Sequence, residues 1–194
     1  MGTQYRPSVI CGTDAHQALA GGYEVGRRFH SAPVVRLADA KRMQLGHVHR
    51  ADGRWRLYAF AGANDLSQPH SGLLGLCQFL QTSADSPVRK FTRAGQDIDA
   101  VFDLYAIFQQ RHRDIAIEKL PDLLWPQKGP YGLRDYEKLF TADLQYGPDI
   151  FDLRQIDRSQ GALVVVRPDQ YVAHVLPLHA HQELAAFFAG FMLG

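Results

Sequence analysis

The side chains that could do chemistry in this chain are few and poorly spaced for it. The only cysteines are Cys11 and Cys77, far apart in sequence, so neither a disulfide framework nor a cysteine metal knuckle is encoded. Cys77 falls on the apolar stripe of an expected helix, about two turns in. There a thiol reads as core packing and not as a nucleophile. Thioredoxin-type chemistry places two cysteines at the N-terminus of the first central helix, where the dipole lowers a thiol pKa. The corresponding stretch here, Ser67-Gln68-Pro69-His70-Ser71, has none. His47 and His49 alternate as they would on one strand face, and His179 and His181 form a second pair. No third ligand is signposted, so both pairs read as hydrogen-bonded surface or interface histidines. Ser31, Ser71 and Ser159 lack the G-x-S-x-G elbow of a serine hydrolase. Arg111-His112-Arg113 reads as a solvated turn, with anion recognition as its functional alternative. No G-x-G-x-x-G is present to cradle a dinucleotide, and Gly72 and Gly75 sit inside a helical pattern, where close helix-to-sheet packing accounts for them. No catalytic, cofactor-binding or metal residue is assigned.

Composition narrows the partners. The 194 residues are 46% hydrophobic and 21% charged, as in a globular domain, and 21 Lys plus Arg balance 20 Asp plus Glu. Such a balance gives no general grip on nucleic acid or anionic lipid. The N-terminal residues show no signal-peptide pattern and no window has membrane-spanning length, so the expected location is the cytoplasm, away from any membrane.

The elements that must position these residues follow from patterning. Residues 1–40 read as an irregular arm, interrupted by Pro7, Gly12, Gly21, Gly22, Gly26 and Pro33, with one short helix from Thr13 or Asp14 to Leu19. Tyr5, Tyr23 and Phe29 are more apolar cargo than a free loop keeps, so the arm is expected to pack on the domain or on a partner subunit. Residues 45–50 and 54–61 are expected to form a hairpin around Ala51-Asp52-Gly53, the second strand central in the sheet. A helix is predicted over Ser71–Ser83 with Leu73, Leu74, Cys77 and Leu80 on one face and Pro87 marking its exit. A strand is predicted over Val101–Phe108 and a mixed pattern over Asp114–Leu124. A loop-rich stretch follows over Lys128–Pro148, with a short helix around Arg134–Phe140. Ala162–Val166 and Tyr171–Leu176 are strands about the turn Arg167–Gln170. The last helix, His179–Met192, turns Leu184, Phe187, Phe188, Phe191 and Met192 inward. Each large side chain buried there contributes roughly 1.5 to 3 kcal/mol, so truncation should unfold the domain.

That succession is the order of an α/β, thioredoxin-like, three-layer fold: a central mixed sheet flanked by helices over residues 41–194, preceded by the irregular N-terminal arm. Two stretches carry a closer resemblance. One runs from Val25 to Ala40, with Phe29-His30-Ser31-Ala32-Pro33 at its centre, and continues at Ala51–Phe60. The other is Val164–Ala173, followed by the aromatic helix. Together they bracket nearly the whole chain and resemble the C-terminal domain of phenol-hydroxylase-type flavoprotein monooxygenases, most nearly the bacterial 3-hydroxybenzoate 4-hydroxylases. The resemblance implies a thioredoxin-like module without redox chemistry, which forms a homodimer and supports a catalytic part lying upstream. FAD and NADPH belong to that part, so this chain carries no cofactor of its own. The parent reaction implied is hydroxylation of a phenolic acid, 3-hydroxybenzoate to the 3,4-dihydroxy product. In that family a segment like Tyr5-Arg6-Pro7-Ser8 leads from the flavin part into this domain, so Met1 reads as a cut or alternative start. The family often has glycine after the Pro-Asp of the last hairpin, where this chain has Gln170. If that position is left-handed, Gln costs up to about 1 kcal/mol. Two other classes stand beside this reading: a free-standing thiol oxidoreductase, which the cysteine positions oppose, and a small-molecule binding protein with an aromatic-lined pocket.

Overall fold

A computed structural model describes residues 3–193; Met1, Gly2 and Gly194, and with them the reading of Met1 as a cut or alternative start, lie outside the described residues. The chain builds β1 (Pro33–Arg36), β2 (Arg42–Gln44), β3 (Trp55–Phe60), α1 (Gly72–Thr82), α2 (Pro87–Phe91), β4 (Phe102–Phe108), β5 (Gln127–Lys128), β6 (Leu133–Arg134), β7 (Leu139–Ala142), α3 (Ile150–Leu153), β8 (Ala162–Val166), β9 (Val172–Leu176) and α4 (His181–Ala189). Seven strands form one mixed sheet in the order β2-β1-β7-β4-β3-β8-β9, and β5 pairs with β6 apart from it. Strand β3 runs parallel to β4 and antiparallel to β8, and β8 turns back antiparallel into β9 before α4. Parallel β3-α1-β4 joined to an antiparallel β8-β9 hairpin and a closing helix is the thioredoxin-like arrangement.

The side-chain period of two sorts the central strands onto two faces. Trp55, Leu57 and Ala59 of β3, with Leu104 and Ala106 of β4, pack beneath α1 and α4, where Leu76, Cys77, Leu80, Leu184 and Phe188 meet them. Tyr58 and Phe60, with Tyr105 and Ile107, face the opposite way, toward Tyr23, Phe29, Ile150 and Phe151. Strand β3 is therefore central and covered on both faces, as its sequence indicates. The arm lies on its own domain: the Phe29 ring stacks on Tyr58 at 4.5 Å and on Tyr23 at 4.6 Å. Tyr5 is half-exposed and meets Tyr171 edge-on at 4.8 Å.

Several expectations are corrected. The hairpin of residues 45–61 does not form. Leu45–Val48 is a 3-10 turn, because its two apolar residues stand three apart and only a helical turn brings both inward; Leu45 is fully buried and the Gly46 N–H donates to Ser31 Oγ at 2.8 Å. Gly53 does take the positive φ of 79° its turn requires. The actual hairpin lies earlier, β1 with β2, so residues 33–36, expected to be irregular, form a strand within the main sheet. Residues 134–140 are not helical: they enter β6 and then β7, which pairs parallel with β4. The helix expected over Ser71–Ser83 does end there, at Thr82, and Pro87 beyond it opens α2 at its first turn, where a missing N–H costs nothing, with Ser86 Oγ as the cap. In α1 the inward residues are Leu73, Leu76, Cys77, Phe79 and Leu80, while Leu74 is only partly buried. The short arm helix shrinks to a 3-10 turn over Gln17–Leu19, and the short α3 goes unannounced in the sequence.

Candidate functional site

Two ends of the sheet could carry function. At the first, α1 starts where a thioredoxin would hold its thiols. Here Asp65 fills the place: its Oδ2 accepts from Ser71 Oγ at 2.5 Å, and its Oδ1 accepts from the Gly72 N–H at 2.8 Å. Ser71 Oγ in turn accepts from the Leu74 N–H at 3.0 Å. The free N–H groups of the helix terminus are thus satisfied from within the chain, and an acidic side chain occupies the position that favours an anion. Gln68, Pro69 and His70 lie exposed around it. A flavin pyrophosphate does not fit this crossover, because Asp65 already takes the amides that would hold it and no glycine-rich turn lets a phosphate approach.

The cysteines are placed as core residues. Cys77 is fully buried, and burial, with a smaller contribution from Asp65, pushes its thiol up to about 12. Cys11 is buried beside β9, and burial raises its thiol too, against the opposing pull of Arg167. Neither environment favours a thiolate.

The histidine pairs do not become ligand sets. His47 lies in the 3-10 turn and His49 just past it, so they share no strand face. His49 is largely buried with both ring nitrogens unpartnered; burial first, then the Arg56 charge, lower it to about 4. His179 is exposed, while His181 stacks on Phe79 at 4.8 Å and burial lowers its pKa. Among the described residues, no group of three or more His, Cys, Asp or Glu side chains could hold a metal ion. Ser31 Oγ serves the Gly46 amide, Ser71 caps α1, and Ser159 Oγ donates to Asp157 at 2.8 Å. Ser71 and Ser159 meet capping carboxylates, and among the described residues none of the three serines is hydrogen-bonded to a histidine. Arg111 and Arg113 are solvent-exposed around a 3-10 turn after β4. Gly72 packs closely, since a Cβ there would stand 3.1 Å from the Leu178 side chain, but the contact is with the segment ahead of α4 and not the sheet. At Gly75 a methyl group would fit.

The second end was missed in the sequence. At the starts of β3, β4 and β7, four cations (Arg54, Arg56, Lys128, Lys138) interleave with four acids (Asp52, Asp99, Asp103, Asp135). Arg56, Asp103, Lys138 and Asp99 are almost wholly buried. Lys138 Nζ pairs with Asp103 and, at 2.6 Å, with Asp99. Arg54 reaches Asp103 at 3.1 Å, and the Tyr105 hydroxyl donates to Asp103 at 2.7 Å. Arg56 donates to the Arg54 carbonyl at 2.7 Å and to Asp52 at 2.8 Å. Burial alone would raise the Asp99 carboxyl. The Lys138 charge and hydrogen bonds from Lys128 and Lys138 outweigh it and hold that group below the usual range. Each buried charge has an opposite, as burial demands. The outer members line a cleft of about 570 Å³ with Arg36, Met43, Arg50 and Tyr136. The available signal was the charge at alternate positions of two otherwise apolar strands: Arg54 and Arg56 leading into β3, Asp103 in β4.

These features define a thioredoxin-like scaffold whose redox end is closed by an aspartate and whose opposite end is pinned by buried ion pairs. The chain belongs to the family described as phenol hydroxylase, C-terminal dimerisation domain, whose model matches residues 3–194. It is 64% identical over 193 residues to the 3-hydroxybenzoate 4-monooxygenase of Comamonas testosteroni, covering 99% of this chain and 30% of that protein. An FAD-dependent monooxygenase of Aspergillus terreus is 36% identical over 186 residues, covering 92% of this chain and 30% of its own length. The chain thus spans about a third of the curated relatives it matches. Among solved structures, aklavinone-11 hydroxylase in complex with FAD and aklavinone aligns with 96% of this chain and 25% of its own, at 15% identity and a TM-score of 0.46. Among the described residues, no helix is long and apolar enough to cross a membrane.

Proposed function

We propose that this chain is the assembly and support module of an FAD-dependent aromatic hydroxylase: it pairs with a second copy of itself, braces the flavin-binding part of the same enzyme, and performs no catalysis alone. The observation that carries the reading is the 64% identity, over nearly the whole chain, to part of a 3-hydroxybenzoate 4-monooxygenase. On this reading FAD and NADPH are held elsewhere in the enzyme, the parent reaction is NADPH- and O2-dependent 4-hydroxylation of 3-hydroxybenzoate in the cytoplasm, and no residue of this chain is catalytic or ligates a cofactor or metal. Residues 1–40 are the connector from the flavin-binding part and residues 41–194 the thioredoxin-like domain. The Asp65 cap and the buried thiols support a scaffold over a thiol oxidoreductase.

The test is a chimera in which this chain replaces the matching third of the Comamonas testosteroni enzyme. The expected product is a dimer, yellow with bound flavin, that oxidises NADPH in response to 3-hydroxybenzoate. The chain by itself should bind no flavin and oxidise no NADPH. Turnover by the isolated chain, or a folded chimera that neither dimerises nor responds to substrate, contradicts the proposal.

A further inference from the structure

We infer that the β5–β6 hairpin is the self-association surface of this domain, its tip seating in a cleft beside the same hairpin on a second copy of the chain; this rests on the dimer reading above and names where that contact is made. The two strands stand outside the main sheet. Their connection reverses through Gly129 and Gly132, both left-handed at φ 66° and 60°, and closes with the Gly132 N–H donating to the Gly129 carbonyl at 3.2 Å. Residues 129–133 carry no charge. Tyr131 is 86% exposed and Leu133 70%, and among the described large apolar residues only the terminal Leu193 is more exposed than Tyr131.

The protrusion is held in place. The Gly129 N–H donates to Asp97 at 2.9 Å, Lys128 pairs with Asp99 at 2.8 Å, and Arg134 both pairs with Asp122 at 2.9 Å and lies over the Trp125 ring at 4.3 Å. Little ordering cost is then left for the moment of association, and a fixed tyrosine is an efficient anchor.

Two further clefts border the hairpin. One, of about 260 Å³, has Ile98, Leu123 and Pro126 in its wall and Gln81 and Gln96 at its rim; the other, of about 660 Å³, runs beneath Gly129 and Pro130. A knob beside a cleft on one surface is self-complementary under a twofold axis: each tip enters the other copy's cleft, and the contact is made twice. The smaller cleft is the receiving one, because Ile98, Leu123 and Pro126 offer the tip apolar contacts among polar neighbours whose glutamines can bond the Tyr131 hydroxyl.

A second copy is the occupant for two reasons. The family is described as a dimerisation domain. The arm, meanwhile, runs along β9, where the Gly12 N–H donates to the Ala173 carbonyl at 2.7 Å, whereas the hairpin is anchored on the segments flanking β4, across β3 and β8. A flavin-binding part joined through the arm therefore approaches from the other side.

Sedimentation equilibrium of the full chain tests this with three variants: Y131S/L133S at the tip, Q96R at the cleft rim, and V9S at an exposed apolar residue of the arm. All four side chains are surface groups, and circular dichroism checks that each variant folds. We expect a wild-type dimer, a dissociation constant about 100-fold weaker for Y131S/L133S, about 10-fold weaker for Q96R, and unchanged for V9S. A tip variant that dimerises as tightly as wild type overturns the hairpin assignment and leaves the dimer reading standing; unchanged affinity in Q96R overturns the cleft. A wild-type chain that stays monomeric at the highest concentration overturns both this inference and the dimer reading.

Discussion

The two faces of the central sheet are equally dry but differently covered. Over Leu57 and Leu104 lie α1 and α4, whose Leu76, Leu80, Leu184 and Phe188 recur at helical spacing. Over Tyr58 and Tyr105 lie an arm without regular structure, the brief α3 and the buried ion pairs. Helices satisfy their own backbone groups, so their face needs only apolar side chains. An arm cannot do this, and it borrows partners instead: the Gly26 N–H donates to the Val172 carbonyl, the Phe29 N–H to the Gln170 carbonyl, and the Val172 N–H to the Arg27 carbonyl, at 2.8 to 2.9 Å. An irregular segment can thus serve as a structural layer, provided that aromatic rings fill its volume and an edge strand takes up its backbone groups.

The comparison can be broken at its most costly point, the ion pairs. Asp103→Ala strands Arg56 and Lys138 without their shared partner, so it should destabilise by about 3–5 kcal/mol in a denaturant titration at fixed protein concentration. A loss below about 1 kcal/mol would mean water already reaches the network. Next come Phe188→Ala and Phe29→Ala, one from each cover. If the arm is a true layer, both cost roughly 3–5 kcal/mol. A cheap Phe29→Ala beside a costly Phe188→Ala would reduce the arm to a loose wrapping.

Acid should act on both faces, since His49 beside Arg56 and His174 and His181 against the α1 and α4 aromatics are all lowered by burial. His49 is held neutral in the fold at about 4, below its ordinary value near 6.5, so its contribution is complete above about pH 6.5 and is lost as pH falls through about 4. His49→Gln should remove the part of the pH–stability curve lying in that window. Asp99 and Asp135, both lowered in the fold, lose their contribution at lower pH still. An unchanged curve in His49→Gln would mean this ring is not held neutral. The smallest effect is a gain. Gln170 sits at φ 69°, so Gln170→Gly should stabilise by up to about 1 kcal/mol in the same titration, set against loss of its 3.3 Å contact with Arg28.

The two covers also explain what was readable. Strands β3 and β4 and the β8–β9 hairpin announce themselves as near-continuous apolar runs, since both their faces are buried, and α1 and α4 by a period of 3.6. Strands β1, β2 and β7 do not: three or four residues long, they carry too few alternations to exceed chance, and β7 pairs with a strand more than thirty residues earlier. The closed redox end was half legible. The missing cysteines at Ser67–Ser71 were plain, whereas Asp65, six residues before Ser71, takes its role only once the chain folds back on the helix terminus.

By composition and pattern alone, the sequence determined that this protein has a thioredoxin-like order of elements, no thiol pair at the helix start and no dinucleotide loop, because each of these is written in local spacing. Tertiary structure alone decided that Arg54, Arg56, Asp99, Asp103, Lys128 and Lys138 are one network, and that the arm closes a face of the sheet. Charges at such separations meet only when parallel strands bring their starts together, and no one-dimensional period records that meeting.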